Sequence, residues 1–362
     1  GVESLSNSQW SHYPGGQNAY RGANFWALQI APDQTIWIGD YNYGAHKSSV
    51  VKYDRTTWTT FDYHNSPIPF SSIRSIKFED SNIVWILTTN CLLRYDGTTW
   101  STFSSTNSGL PADKLYSLAI DAAGVKWIAT DEGGLVKYDN ITWTTYTTAN
   151  SGLPTNRVSV VAIDHHNKLW VGTLGKGVGQ FDGSTWTQHV TSGSILVLEV
   201  APNNDIWADN DNGILAMRYD GTTWTKFYAS NSGIREFDDI CSFSFEDNIV
   251  WLGGSQGSLY RYDGSNWKRF DYKNSPLPED GSNKCVVDSS GTKWITAWTG
   301  HLFSYNENPT SISEQLPLEY SLLQNYPNPF NPVTTIAFDL PFRGSVSLIV
   351  YNTLGEKVRV LA

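Results

Sequence analysis

Short runs in which apolar and polar residues alternate recur along the chain, each bounded by turn residues, the pattern of half-buried β-strands. One unit shows it clearly. Leu115 to Ile120, Lys126 to Ala129, Leu135 to Tyr138 and Thr142 to Tyr146 read as four strands. In other units an Asp-Gly pair separates the last two strands, at Asp96-Gly97, Asp182-Gly183, Asp220-Gly221 and Asp263-Gly264, where glycine accepts the positive φ of a hairpin turn.

Tryptophan sets the length and number of the units. One series is Trp37, Trp85, Trp127, Trp170, Trp207, Trp251 and Trp294; the other is Trp10, Trp58, Trp100, Trp143, Trp186, Trp224 and Trp267. The step from Trp58 to Trp85, Trp100 to Trp127, Trp143 to Trp170, Trp224 to Trp251 and Trp267 to Trp294 is twenty-seven residues each time. Seven units of four antiparallel strands predict an all-β fold, a seven-bladed β-propeller. Residues two beyond the first-series Trp are often small (Gly39, Ala129, Gly172, Gly253), leaving room for bulk from a neighbouring sheet. A buried Trp removes ~150–250 Å² from water, roughly 4–6 kcal/mol gross, so all fourteen are assigned to the blade-to-blade core.

The seventh unit ends at Leu302 to Tyr305 without its fourth strand, and Gln9 to Tyr13 supplies the missing Trp-containing pattern. The N-terminal strand is therefore expected to complete the last blade and close the ring. The expected boundaries are a propeller over residues 1–308, a polar linker over 309–320 and a tail over 321–362.

Units such as Trp127-Ile128-Ala129-Thr130 followed by Gly133-Gly134-Leu135-Val136-Lys137-Tyr138-Asp139 resemble the two-component-regulator propeller repeat over roughly residues 9 to 305. The resemblance implies a periplasmic ligand-sensing or secreted module, often responding to oligosaccharides. The tail run Asn325-Tyr326-Pro327-Asn328-Pro329-Phe330-Asn331-Pro332, followed by three strand patterns ending at Leu361, is similar to the C-terminal sorting module of type IX secretion cargo. That module is an immunoglobulin-like β-sandwich, of which the first part is present, and it implies export by the type IX secretion machinery. The location implied is secreted or on the surface of a Gram-negative bacterium.

Composition narrows the partners. Acidic residues exceed Lys and Arg by ten with no basic run, which argues against nucleic acid and polyanions. No apolar stretch approaches the ~20 residues of a membrane-spanning helix. Cys91, Cys241 and Cys285 show neither metal-ligand spacing nor a disulfide framework. The chain begins at Gly1 without a secretion leader, so a mature form or a fragment is expected.

Departures from the repeat mark candidate sites. The loop Asp40 to Lys47 is longer than its equivalents, and the step from Trp186 to Trp207 is shortened to twenty-one residues. Both loop types emerge on one face, giving it a wall at blade one and a notch between blades four and five. Trp26 and Trp298, the two tryptophans outside the series, lie near the wall with Tyr41, Tyr43, His46, His301 and Arg21. These seven form the expected ligand site, an aromatic platform suited to a sugar; ordinary loop packing is the competing reading. Asp209 and Asp211 have oxygen-rich spacing that suits calcium weakly, without the distal bidentate Glu; no other cofactor is expected. His165 and His166 read as exposed turn residues.

Asp131, Glu132, Arg157 and His301 come from scattered blades without a catalytic motif, so no catalytic residue is assigned and the chain is expected not to be an enzyme. The expected function is recognition of a polysaccharide or cell-surface glycan. The rivals are a polysaccharide lyase or hydrolase acting from the same face, and a structural component of an extracellular layer or filament.

Overall fold

A computed structural model describes residues 9–14, 23–42, 47–112, 114–279, 281, 284–297 and 300–307, with short strands at 321–322, 338–339, 349–351 and 357–360. Seven four-stranded antiparallel sheets form the blades of a β-propeller. In blade one the strands run Ala23–Ile30, Ile36–Asn42, Lys47–Tyr53 and Trp58–Phe61 from the channel outward. The innermost strands of the following blades are Ile73–Phe78, Leu115–Ile120, Val158–Ile163, Leu198–Val200, Ile240–Glu246 and Lys284–Val287.

Ring closure follows the sequence pattern. Gln9–Pro14 pairs antiparallel with His301–Asn306 along its whole length, from Gln9 opposite Asn306 to Pro14 opposite His301. The first and last residues of the ring thus share one sheet, with Trp10 packed on Tyr305 at 4.5 Å between ring centroids.

The two tryptophan series divide the work. First-series members are buried, from Trp251 at 0% exposure to Trp127 at 7%, in the clusters between blades. Most of their indole N–H groups donate to a carboxylate on the preceding hairpin, as Trp85 does to Glu79 at 2.7 Å and Trp294 to Asp288 at 2.8 Å. Second-series members lie on the outermost strands and are half-buried, and each packs against one of the clusters between blades. They also stack on rings of the neighbouring strand: Tyr53 on Trp58 at 4.3 Å, Tyr138 on Trp143 at 4.0 Å, Tyr262 on Trp267 at 4.4 Å. The Asp-Gly turns before them are self-contained. Asp96 accepts from the backbone N–H groups of Thr98 and Thr99 and from both hydroxyls, while Gly97 takes φ 92°.

The small residues two beyond the first-series Trp admit the next blade. A Cβ on Gly39 would stand 2.7 Å from Ile73 Cβ, and one on Gly172 2.7 Å from Ile195 Cγ2. Gly172→Val is therefore expected to cost about 2–3 kcal/mol through overpacking, read as a lowered urea midpoint at unchanged slope.

The expected sandwich tail and linker lie almost wholly outside the described residues. What is described there are two short antiparallel pairs, Ser321–Leu322 with Phe338–Asp339 and Ile349–Tyr351 with Lys357–Val360. No helix among the described residues is long and apolar enough to cross a membrane.

Candidate functional site

The innermost strands carry a repeated irregularity. In blades one, two, three, four and six the pairing with the second strand slips by one residue, leaving Trp26, Arg74, Tyr116, Ser159 and Cys241 as the extra residue of a bulge. A bulge bends its strand and re-aims a side chain. Arg74, Tyr116, Ser159 and Cys241 all line one cavity of about 1430 Å³, with Lys284 of blade seven completing its inner wall.

The outer wall comes from the loops on the same face. Leu196 and Val197 belong to the shortened connector into blade five, Asp209 to Asp211 and Gly213 to Leu215 to the following hairpin, and Glu236, Phe237 and Asp239 to the connector into blade six. Connectors and second-to-third-strand loops therefore do share a face, and the cavity sits at the notch. Three large apolar side chains stand exposed on this lining: Leu196 at 61%, Phe237 at 78% and Tyr228 at 38%.

Phe237 is held out by construction. Its φ is 63°, a left-handed conformation unfavourable for a bulky residue, costing on the order of 1–3 kcal/mol unless its surroundings impose it. The surroundings do so through Asp238, which is fully buried. Asp238 accepts from Tyr260 Oη at 2.5 Å and from the Gln256 backbone N–H at 2.9 Å, while Gln256 Nε2 donates to the Phe237 carbonyl at 2.6 Å. Gly254 leaves the space: a Cβ there would lie 2.8 Å from Asp238 Cγ. Burial, helped by the bond to Asp238, pushes the Tyr260 phenol up to about 12 and keeps it a donor.

The cavity is electrostatically divided. Exposed Asp211, Glu236 and Asp239 lie on the loop side, Arg74 and Lys284 on the channel side. Asp209 is buried between them and accepts from the backbone N–H groups of Leu196 at 2.8 Å and Val197 at 2.9 Å; burial pushes its carboxyl up to about 7. Lys284 Nζ donates to the Cys241 carbonyl at 2.7 Å, and burial lowers its ammonium below the usual lysine range. Arg74 lies 5.6 Å from the Tyr116 ring centroid, and Tyr116 is raised by burial and by its bond to Asp131.

The fates of the sequence-derived candidates differ. Tyr43, His46, Arg21 and Trp298 lie outside the described residues, and of Trp26 and Tyr41 the backbone alone is described. His301 is engaged with the closing strand, its Nδ1 2.8 Å from His12 Nε2. Asp131 is paired with Arg157 at 3.5 Å. Asp211 accepts from the Ser194 N–H at 2.6 Å, and no group of three or more His, Cys, Asp or Glu side chains suited to a metal occurs among the described residues. His165 and His166 occupy an exposed turn, where His166 Nδ1 meets Asn204 Nδ2 at 3.0 Å.

The reading of the residues missed Arg74, Tyr116, Lys284 and Phe237. For the first two a signal existed: each stands eleven residues before a first-series Trp, as do Trp26 and Ser159. For Phe237 the signal was the Asn231-Ser232-Gly233-Ile234 run, which continues into Arg235 where other units have Pro.

Known proteins fit this architecture. The model of the two component regulator propeller matches residues 152–175, so the chain carries that repeat. No curated protein sequence matches the chain. Virginiamycin B lyase from Staphylococcus aureus superposes with a TM-score of 0.67 at 11% identity, covering 83% of this chain and 99% of the lyase. The extracellular domain of the putative hybrid two component system BT4673 from B. thetaiotaomicron gives 0.65 at 16% identity, over 88% of this chain and 44% of that one. PorZ, a bacterial surface component of the type IX secretion system of Porphyromonas gingivalis, gives 0.63 at 17% identity, over 93% of this chain and 53% of PorZ. At these identities the likeness is one of fold.

The lyase corrects one expectation. The chain was expected not to be an enzyme because its sequence shows no acid–base motif, yet an enzyme is built on this same fold, so that deduction fails.

Proposed function

We propose that the chain is an exported recognition propeller whose cavity at blades four to six binds an extracellular glycan. The observation that carries this reading is Phe237, an exposed aromatic ring clamped in a left-handed conformation on the lining of a cavity of about 1430 Å³. That volume exceeds the ~300–1,000 Å³ typical of small-ligand pockets and suits several sugar units. An exposed ring beside polar groups is what a sugar face stacks on. The extracellular settings of BT4673 and PorZ support export, and the tail run Asn325 to Pro332 supports the type IX route, with the tail a separate sorting unit after the propeller.

A screen of plant and microbial polysaccharides, reading both binding and product release, tests the proposal. Phe237→Ala is expected to weaken the best hit about tenfold or more at unchanged melting temperature, since the ring is exposed. Unchanged affinity removes the cavity from the proposal. Trp26 stands at the same bulge register as Arg74 and Tyr116, which favours a second contact at the platform of Trp26, Tyr41, Tyr43, His46, Trp298, His301 and Arg21. A folded Trp26→Ala, Trp298→Ala variant with full affinity rules that contact out.

A further inference from the structure

Lys284 poses a question that the fold leaves open. It stands at the start of the innermost strand of blade seven and lines the cavity. Its ammonium has three N–H donors, and the described residues supply one acceptor, the Cys241 carbonyl at 2.7 Å. No carboxylate among the described residues comes within ion-pair distance of it, whereas two fully buried lysines on second strands show what a structural lysine does in this ring. Lys126 reaches Glu79 at 3.0 Å and Lys293 reaches Glu246 at 2.6 Å, each also bonded to a nearby backbone carbonyl.

The charged groups around Lys284 act on it through space. Glu199 and Asp209 attract and Lys77 repels. Asp209 has already spent an oxygen on the Leu196 and Val197 N–H groups, and its raised carboxyl carries only part of a charge near neutral pH. A half-buried ammonium that faces the cavity with donors to spare offers charge-assisted hydrogen bonds to an anion that reaches it. Arg74 adds a second cation to the same inner lining.

We propose that Lys284, with Arg74, receives a carboxylate of the ligand while the ligand's body lies against Phe237. The chemical class is a sugar bearing a single carboxylate, such as a uronic acid unit. A polyanion does not fit, because it would run past exposed Asp211, Glu236 and Asp239. This inference rests on the cavity being a glycan site and names the chemistry at its inner end.

Two measurements separate the inference from that reading. In the first, Lys284 of the full chain is acetylated with an N-hydroxysuccinimide ester and its occupancy followed by peptide mass spectrometry, with phenylacetate or phenylacetamide present. The carboxylate is expected to slow labelling at least fivefold and the amide to leave it unchanged. In the second, a disaccharide of one glucuronate and one neutral sugar and its methyl ester are titrated into wild-type, Lys284→Met and Phe237→Ala proteins. Wild type is expected to prefer the acid about tenfold, Lys284→Met to lose that preference while keeping affinity for the ester, and Phe237→Ala to weaken both.

Lys284→Met is also expected to melt no lower than wild type; a sharp fall would mark the lysine as a structural tie to Cys241 and overturn the inference. Protection by carboxylate without any sugar binding upholds the anion site and refutes the glycan reading. Equal affinity for acid and ester without protection does the reverse. Neither protection nor binding overturns both.

Discussion

Deletion of residues 1–14 is expected to lower the melting temperature by about 10 °C or more, measured by calorimetry on otherwise identical protein. The closing strand contributes the outermost strand of blade seven, and its loss uncovers a full edge of six paired residues on His301–Asn306. Trp10 leaves Phe270 and Tyr305, ring centroids 5.9 Å and 4.5 Å away, and Tyr13 leaves Trp294 at 5.2 Å. Each lost aromatic contact forfeits roughly 2–3 kcal/mol of burial, and a domain of this size shifts by about 2 °C per kcal/mol. Tyr305, now 1% exposed, would face solvent. An unchanged melting temperature would show that the ring does not depend on the strand that completes it.

The second large effect is on acid stability, and it acts on the same seam. The bond of 2.8 Å between His12 Nε2 and His301 Nδ1 needs one N–H and one lone pair, so the two rings cannot both be charged, and burial favours the neutral form of each. Burial, then repulsion from His301, lowers His12 from 6.5 to about 4, and burial lowers His301 as well. The unfolded chain binds a proton at each of these histidines below pH 6.5 while the folded chain resists. The seam therefore contributes fully above pH 7 and weakens as pH falls toward 4, by on the order of 3 kcal/mol for His12.

Asp40 and Asp209, raised by burial to about 6 and about 7, oppose this trend, because their folded forms hold protons that the unfolded chain has lost above pH 4. His189, lowered by burial, adds to it. The seam is isolated by His12→Phe, whose ring keeps the stack that His12 makes on Phe303 at 4.8 Å. The melting temperature of wild type relative to the variant is expected to stay constant above pH 7 and to fall by about 5 °C between pH 7 and pH 4.5. A difference constant over the whole range would contradict the neutral pair.

The blades and their closure were legible because core packing repeats. Trp37 and its six equivalents meet the same need in every blade, so the same residue type returns at the same step. The cavity was not legible for the complementary reason. Arg74, Tyr116, Ser159 and Cys241 hold one register position with four different chemistries, and a position that does not repeat looks like noise beside one that does. The notch was visible as a shortened step before Trp207, but the length of a step does not tell which side chains line the gap. The departure at Arg235 marked the connector that carries Phe237 but not the exposure of its ring, since its conformation is imposed by Asp238, Gln256 and Tyr260, up to twenty-three residues away.

Hydrogen–deuterium exchange of the whole chain with and without the best-binding glycan tests the proposed site most directly. Protection is predicted in the segments around residues 194–198, 209–215 and 228–239, which contribute the outer wall of the cavity. Protection confined to residues 40–47 and 298–301, or none in the three cavity segments at saturating ligand, would contradict it.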